Sequence, residues 1–170
     1  ILENDKIYSG FIFTNPELGQ AVDPKEGIDI LRQIIKQFEP EIIVGHNFNC
    51  DISVIEKVYK KEVPELHKYD DTMIMARKSN VANIIGSAAL KKLIRDLFSF
   101  KVVEVYKAYQ EDISLFVEYG LMDAVFPIYL RNFLMTGKKP DFIRPDKIDY
   151  MFKRGNEIEL NYKKIHFPAD

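Results

Sequence analysis

The five residues Glu41-Ile42-Ile43-Val44-Gly45 constrain this chain more than any others. They form an apolar run too short for a helix, ending in glycine and followed at once by a helical pattern. A strand buried on both faces reads as such a continuous run, and a strand that feeds a helix belongs to an α/β layer. Upstream, Lys6 to Thr14 alternates loosely and is rich in Ile, Tyr and Phe, which predicts a strand, and Asn15 to Gly19 reads as a turn. After Asp23-Pro24, Ile28, Ile30, Leu31, Ile34, Ile35 and Phe38 share one broad helical face, which Glu39-Pro40 closes. A second helix is expected from about Asp51 to Lys61, ended by Val63-Pro64. Asp70-Asp71-Thr72 can cap a helix through Met73 to Lys78, because side-chain oxygens there accept from free N–H groups. Asn80 to Ser87 reads as a loop, and Ala88 to Phe98 restores a helical period through Leu90, Leu93, Ile94 and Leu97. Phe100 to Tyr109 suits a strand as well as a helix. Asp112 to Met135 is the longest helical pattern, with a kink expected at Pro127. Two strands stand out, few for an independent α/β sheet, and they are expected to lie side by side in one.

Apolar residues make up 46% of the 170, with 12 Phe and 9 Tyr, so the chain can bury a core and intrinsic disorder is excluded. Its length suits about one domain. The sequence divides into a regular part, residues 1–137, and an irregular extension, 138–170, in which Pro140, Pro145 and Pro168 stand among scattered apolar residues. No window approaches ~18 uninterrupted apolar residues, so no membrane span is expected. Ile1-Leu2-Glu3-Asn4-Asp5-Lys6 is neither a signal nor a transit peptide, and the missing Met suits a fragment or a processed product. The single cysteine, Cys50, leaves no internal disulfide and suits a reducing, intracellular compartment. With 24 Lys and Arg against 26 Asp and Glu the net charge is −2, which argues against a general nucleic-acid coat. A site that handles polyanions through metal ions held by carboxylates remains compatible with that charge.

Two constellations carry chemistry. In Gly45-His46-Asn47-Phe48-Asn49-Cys50-Asp51 a buried strand gives way to a helix, the place where α/β sheets commonly line ligand sites. Asp51 there is a helix cap or a functional carboxylate, and His46 and Asn47 are turn residues or site residues. In Tyr119-Gly120-Leu121-Met122-Asp123, the hydroxyl and the carboxylate sit at i and i+4 on one helical face. Among apolar neighbours, Asp123 needs a partner: a Lys, a backbone N–H, a proton or a metal ion. Lys91, Lys92 and Arg95 are solvated surface or a track for phosphates, and His67 and His166 show no ligand spacing.

The run IIVGHNFNCDISVI resembles the second motif of the DEDD exonuclease superfamily, and Tyr119 to Asp123 resembles its third motif in the tyrosine subclass. Asp71-Thr72-Met73 and Gly86-Ser87-Ala88-Ala89-Leu90-Lys91 are similar to intervening segments of proofreading domains in family A DNA polymerases, phage ones especially. Asp51 and Asp123 stand 72 residues apart, a spacing that suits the family, and the resemblance runs from about Lys6 to Met135. It implies a ribonuclease-H-like α/β fold, a mixed sheet flanked by helices, and 3′–5′ hydrolysis of DNA ends by two Mg²⁺ or Mn²⁺ ions. By motif, Asp123 would ligate the ion that activates water and Asp51 the ion at the leaving oxygen. Tyr119 would orient the water, Asn47 would contact the terminal nucleotide, and Phe48 would stack on or wedge a base. The partners implied are a single-stranded or frayed DNA 3′ end and an attached or associated polymerase. Two features depart from the pattern. Cys50 replaces the usual aromatic before the Asp, and the D-x-E motif of a first strand is not present, since Glu3 has no Asp two positions earlier. The second departure makes a degenerate exonuclease-like scaffold, binding nucleic acid or protein, the competing expectation. An unrelated α/β interaction module with chance motif matches is the third.

Overall fold

A computed structural model describes residues 1–3, 6–12, 14, 22–100, 102, 113–140, 149–154 and 157–160. Of residues 3, 6–11, 113–119, 149–154 and 157–160 it describes the backbone alone. The architecture is mixed α/β with more helix than strand. In chain order the elements are β1 (Leu2–Glu3), β2 (Lys6–Phe11), α1 (Pro24–Phe38), β3 (Ile43–Gly45), α2 (Phe48–Tyr59), a 3₁₀ turn (Pro64–Leu66), β4 (Tyr69–Asp71), α3 (Thr72–Lys78), α4 (Val81–Ile85), α5 (Leu90–Phe98), α6 (Ile113–Thr136), β5 (Asp149–Arg154) and β6 (Glu157–Leu160).

The helices start where capping chemistry permits. Asp23 accepts from the Lys25 N–H at 2.9 Å with Pro24 at the first helical position, and Asp71 accepts from the Met73 N–H at 2.9 Å to open α3. The segment expected to be a loop between Asn80 and Ser87 contains α4, held between Asn80 at φ 66° and Gly86 at φ 79°. Both residues sit in the left-handed region that Asn and Gly tolerate. The longest helix continues through Pro127, which is buried. That residue has no N–H to offer the carbonyl of Asp123. The segment Phe100 to Tyr109 lies, apart from its first residue and Val102, outside the described residues.

The two strands legible in the sequence do not share a sheet, which corrects the expected adjacency of Lys6–Thr14 and Glu41–Gly45. β3 pairs in parallel with β4, with Ile43 opposite Tyr69, Val44 opposite Asp70 and Gly45 opposite Asp71. β2 instead lies in a mixed sheet of order β1-β2-β5-β6, antiparallel to β1 and parallel to β5. The reason is β4: a three-residue strand with two aspartates gives no strand signal, yet it takes the edge of β3. Helix α6 packs against both β2 and β3, so packing rather than strand pairing brings these two together. Two segments of the stretch read as irregular, Asp149–Arg154 and Glu157–Leu160, are strands paired with each other, Arg154 opposite Glu157.

Two apolar clusters fill the interior. One gathers Ala76, Ala82, Leu93, Ile94, Phe98, Leu121, Met122, Val125, Phe126 and Leu130 from α3, α4, α5 and α6. The other gathers Ile28, Ile52, Tyr59, Val63 and Leu66 beneath α1 and α2, with Ile43, Phe48 and Tyr69 against it. The carboxyl ends of β3 and β4 lie at the seam.

Candidate functional site at the ends of β3 and β4

The site begins with a glycine. A Cβ on Gly45 would lie 2.4 Å from Cγ of Phe48, so only glycine lets the chain turn this closely from β3 into α2. Asn47 follows in the left-handed region (φ 56°) as the residue before the helix, and its side chain makes no capping bond. The cap comes from across the strand pair. Asp71 at the end of β4 accepts from the Asn47 N–H (3.0 Å, Oδ1) and the Phe48 N–H (2.9 Å, Oδ2), besides the Met73 N–H. One buried carboxylate thus serves the first N–H groups of two helices, at the end where the helix dipole favours negative charge.

A second set of bonds ties in the segment before α5. The Thr72 hydroxyl lies 3.0 Å from the Gly45 carbonyl and 2.9 Å from Nδ1 of His46, and Nε2 of His46 lies 2.7 Å from the Ala88 carbonyl. Burial pushes the His46 imidazole below its ordinary range, and Arg77 adds to that, against the Ala88 bond and the Asp71 charge. Just beyond, on α5, Lys91 Nζ lies 3.8 Å from Oδ2 of Asp123 on α6. Arg131, two turns along α6, donates to Asp70 of β4 at 2.6 Å.

The residues singled out from the sequence fall as follows. Asp51 is not the cap of α2; it lies in the first turn, largely exposed, and partial desolvation of its carboxyl, with the charge of Asp71, pushes its pKa up against the bond to its own backbone N–H. Asn47 is exposed and donates through Nδ2 to Sγ of Cys50 at 3.2 Å. Phe48 is half-buried with its ring edge-on to Tyr69, centroids 5.2 Å apart, in a packing role. Asp123 is half-buried beside Lys91, the lysine partner that a carboxylate in this position can find. Tyr119 belongs to α6, and its side chain lies outside what the structure describes. Lys92 and Arg95, weighed as a phosphate track, both pair with Asp96, at 2.7 and 3.2 Å.

Sequence reasoning undervalued Asp71, Thr72 and His46. Asp71 was legible as the cap of α3, but its service to α2 depends on β3 and β4 pairing in register, which no local pattern announces. Among the described residues the donor set for a two-ion centre is incomplete. Both oxygens of Asp71 are engaged by backbone N–H groups, and among the described residues no group of three His, Cys, Asp or Glu side chains is placed to hold a metal ion. Asp51 and Asp123 alone do not fit a pair of ions that dehydrate reluctantly. Comparison of the chain with protein-family models, with curated proteins and with solved structures yields no match.

Proposed function

We propose that this chain is a 3′–5′ exonuclease-type domain that handles the 3′ end of a DNA strand in company with a polymerase. One observation carries the reading. The four segments that resemble proofreading domains, far apart in sequence, are bonded to one another. His46 meets Thr72 and Ala88, and Lys91, three residues past Ala88, meets Asp123. Chance matches to four short motifs would have no reason to converge. The ribonuclease-H-like fold belongs to this proposal. What supports it is that β2 and β3, though in separate sheets, both lie against α6.

In this reading Asn47, exposed at the mouth of the site, contacts the terminal nucleotide. Tyr119 orients a water molecule, since a phenol with a pKa near ~10 is a poor base at neutral pH. Mg²⁺ or Mn²⁺ would supply Lewis-acid chemistry. The described carboxylates do not complete a set of ligands for such ions. The 170-residue chain is therefore expected to release almost no nucleotides from a 3′-labelled strand. A longer parent chain that carries a D-x-E strand is expected to do so with Mg²⁺ or Mn²⁺, losing several orders of magnitude in single-turnover rate on Asp123→Ala. Robust release by the short chain, lost on Asp51→Ala, would mean that another carboxylate completes the site.

The second reading, a scaffold of the same fold that binds nucleic acid or protein without cleaving, is favoured by the Lys91–Asp123 pair, which places a lysine beside the carboxylate. An inactive parent chain would establish it over the first.

A further inference from the structure

The contacts around His46 contain more bonds than a neutral imidazole can supply with hydrogens. Three are drawn: Nε2 to the Ala88 carbonyl, Nδ1 to the Thr72 hydroxyl, and that hydroxyl to the Gly45 carbonyl. Each bond needs one hydrogen. A carbonyl only accepts, so Nε2 must carry its proton in every state. Neutral His46 and Thr72 together hold two hydrogens, and Nδ1 and the Gly45 carbonyl then compete for the single one on Thr72. Imidazolium and Thr72 hold three. The network closes only when the ring is doubly protonated.

We propose that His46 is a pH-responsive positioning residue. Its Nε2–H holds the segment before α5 in either protonation state, and its second proton completes the lock between the end of β3 and the start of α3. The ring is placed to transmit that change. The next two residues, Asn47 and Phe48, bond Asp71 through their backbones and open α2, and the tethered Ala88 precedes α5. The charges that act on the ring are Asp71 at the end of β4, favouring the imidazolium, and Arg77 on α3, opposing it. The flanking elements carry Cys50 and Asp51 on α2 and Lys91 on α5 as their nearest titratable groups in sequence. Opposing the third bond is the cost of charging a buried ring. This inference stands apart from the nuclease reading and is tested on the chain without nucleic acid, so either can fail alone.

The test is long-range ¹H–¹⁵N spectroscopy of the histidine rings across about pH 8 to 5, the range where imidazoles titrate, on the full chain and three variants. The expected result is an Nε2–H tautomer at the alkaline end. In the acid form, the Thr72 and His46 amide resonances should move with the same midpoint as the ring. Thr72→Val, which keeps the shape and deletes the hydroxyl, should lower that midpoint by about one pH unit or more, the tenfold loss expected for a bond to a charged donor. Thr72→Ser should restore it. Should Thr72→Val fail to fold, His46→Gln decides: its amide can still donate to Ala88, so the Ala89 and Leu90 resonances should stay in place while the pH step disappears. An Nδ1–H tautomer at the alkaline end, an unchanged or raised midpoint in Thr72→Val, or a pH step that survives in His46→Gln would overturn the proposal.

Discussion

In the cluster formed by α3, α4, α5 and α6, side chains as large as Leu93, Ile94, Met122 and Leu130 are almost wholly out of water. The cluster beneath α1 and α2 reaches that depth at Val63 and Leu66. Its margins are closed instead by charge. Arg32 donates to Oε1 of Glu65 through Nε (2.9 Å) and through its NH2 nitrogen (2.7 Å), Lys36 lies 3.8 Å from the same oxygen, the Tyr59 hydroxyl donates to Asp29, and His67 meets Glu56. The first region is held chiefly by buried area and packing, with ion pairs such as Lys91–Asp123 and Arg131–Asp70 at its edges. The second adds polar bonds that are directional and condition-dependent. The candidate site touches both, since Phe48 and Tyr69 pack on the second cluster and Ala76 of α3 belongs to the first.

Five substitutions would break or sharpen this contrast. Leu130→Ala should cost about 3–4 kcal/mol in urea unfolding, since a fully buried leucine leaves a cavity. Ile28→Ala in the second cluster should cost less, about 2–3 kcal/mol, and equal losses would erase the distinction. Asp71→Ala should cost about 2–3 kcal/mol, because it strips three backbone N–H groups of their acceptor at the seam. Next comes an effect of pH. His46 titrates lower in the folded chain than its ordinary value near ~6.5, so the unfolded chain takes up the proton first. Stability should be full above that value and decline as pH falls through it towards the folded value; His46→Gln should flatten this limb, and an unchanged limb would assign it to another group. Arg32→Ala should have the smallest effect, and one that fades as salt is added, whereas the Leu130→Ala loss should be insensitive to salt.

Most helices were legible because their apolar positions repeat at helical spacing and their ends carry Asp23-Pro24, Glu39-Pro40 or Asp71-Thr72. What was hidden is non-local or very short. β4 has three residues, two of them acidic, and becomes a strand only because β3 offers it an edge. α4 is a five-residue helix bounded by left-handed Asn80 and Gly86, a composition that reads as loop. The last strands did leave a signal. Glu157-Ile158-Glu159-Leu160 alternates strictly and Gly-Asn is a dipeptide that signals a hairpin, but the prolines at 140, 145 and 168 signal irregular chain. At the site, the sequence gives the residue types and their order. It does not give the hydrogen count around His46 or the double use of Asp71, since both depend on residues more than twenty positions apart meeting in register.

The double use of Asp71 also bears on how the molecule assembles. Asp71 can start α3 by itself, since it accepts from Met73 two residues on, but the first N–H groups of α2 reach their acceptor only once the 23 residues between Asn47 and Asp71 are closed into a loop. The entropy of closing that loop is a cost of starting α2, offset by the pairing of β3 with β4. Nucleation, ordinarily the unfavourable step for a short helix, is for α2 tied to the β3–β4 pairing. The first turn of α2 should accordingly lose its amide-exchange protection at the free energy that opens the β3–β4 pair.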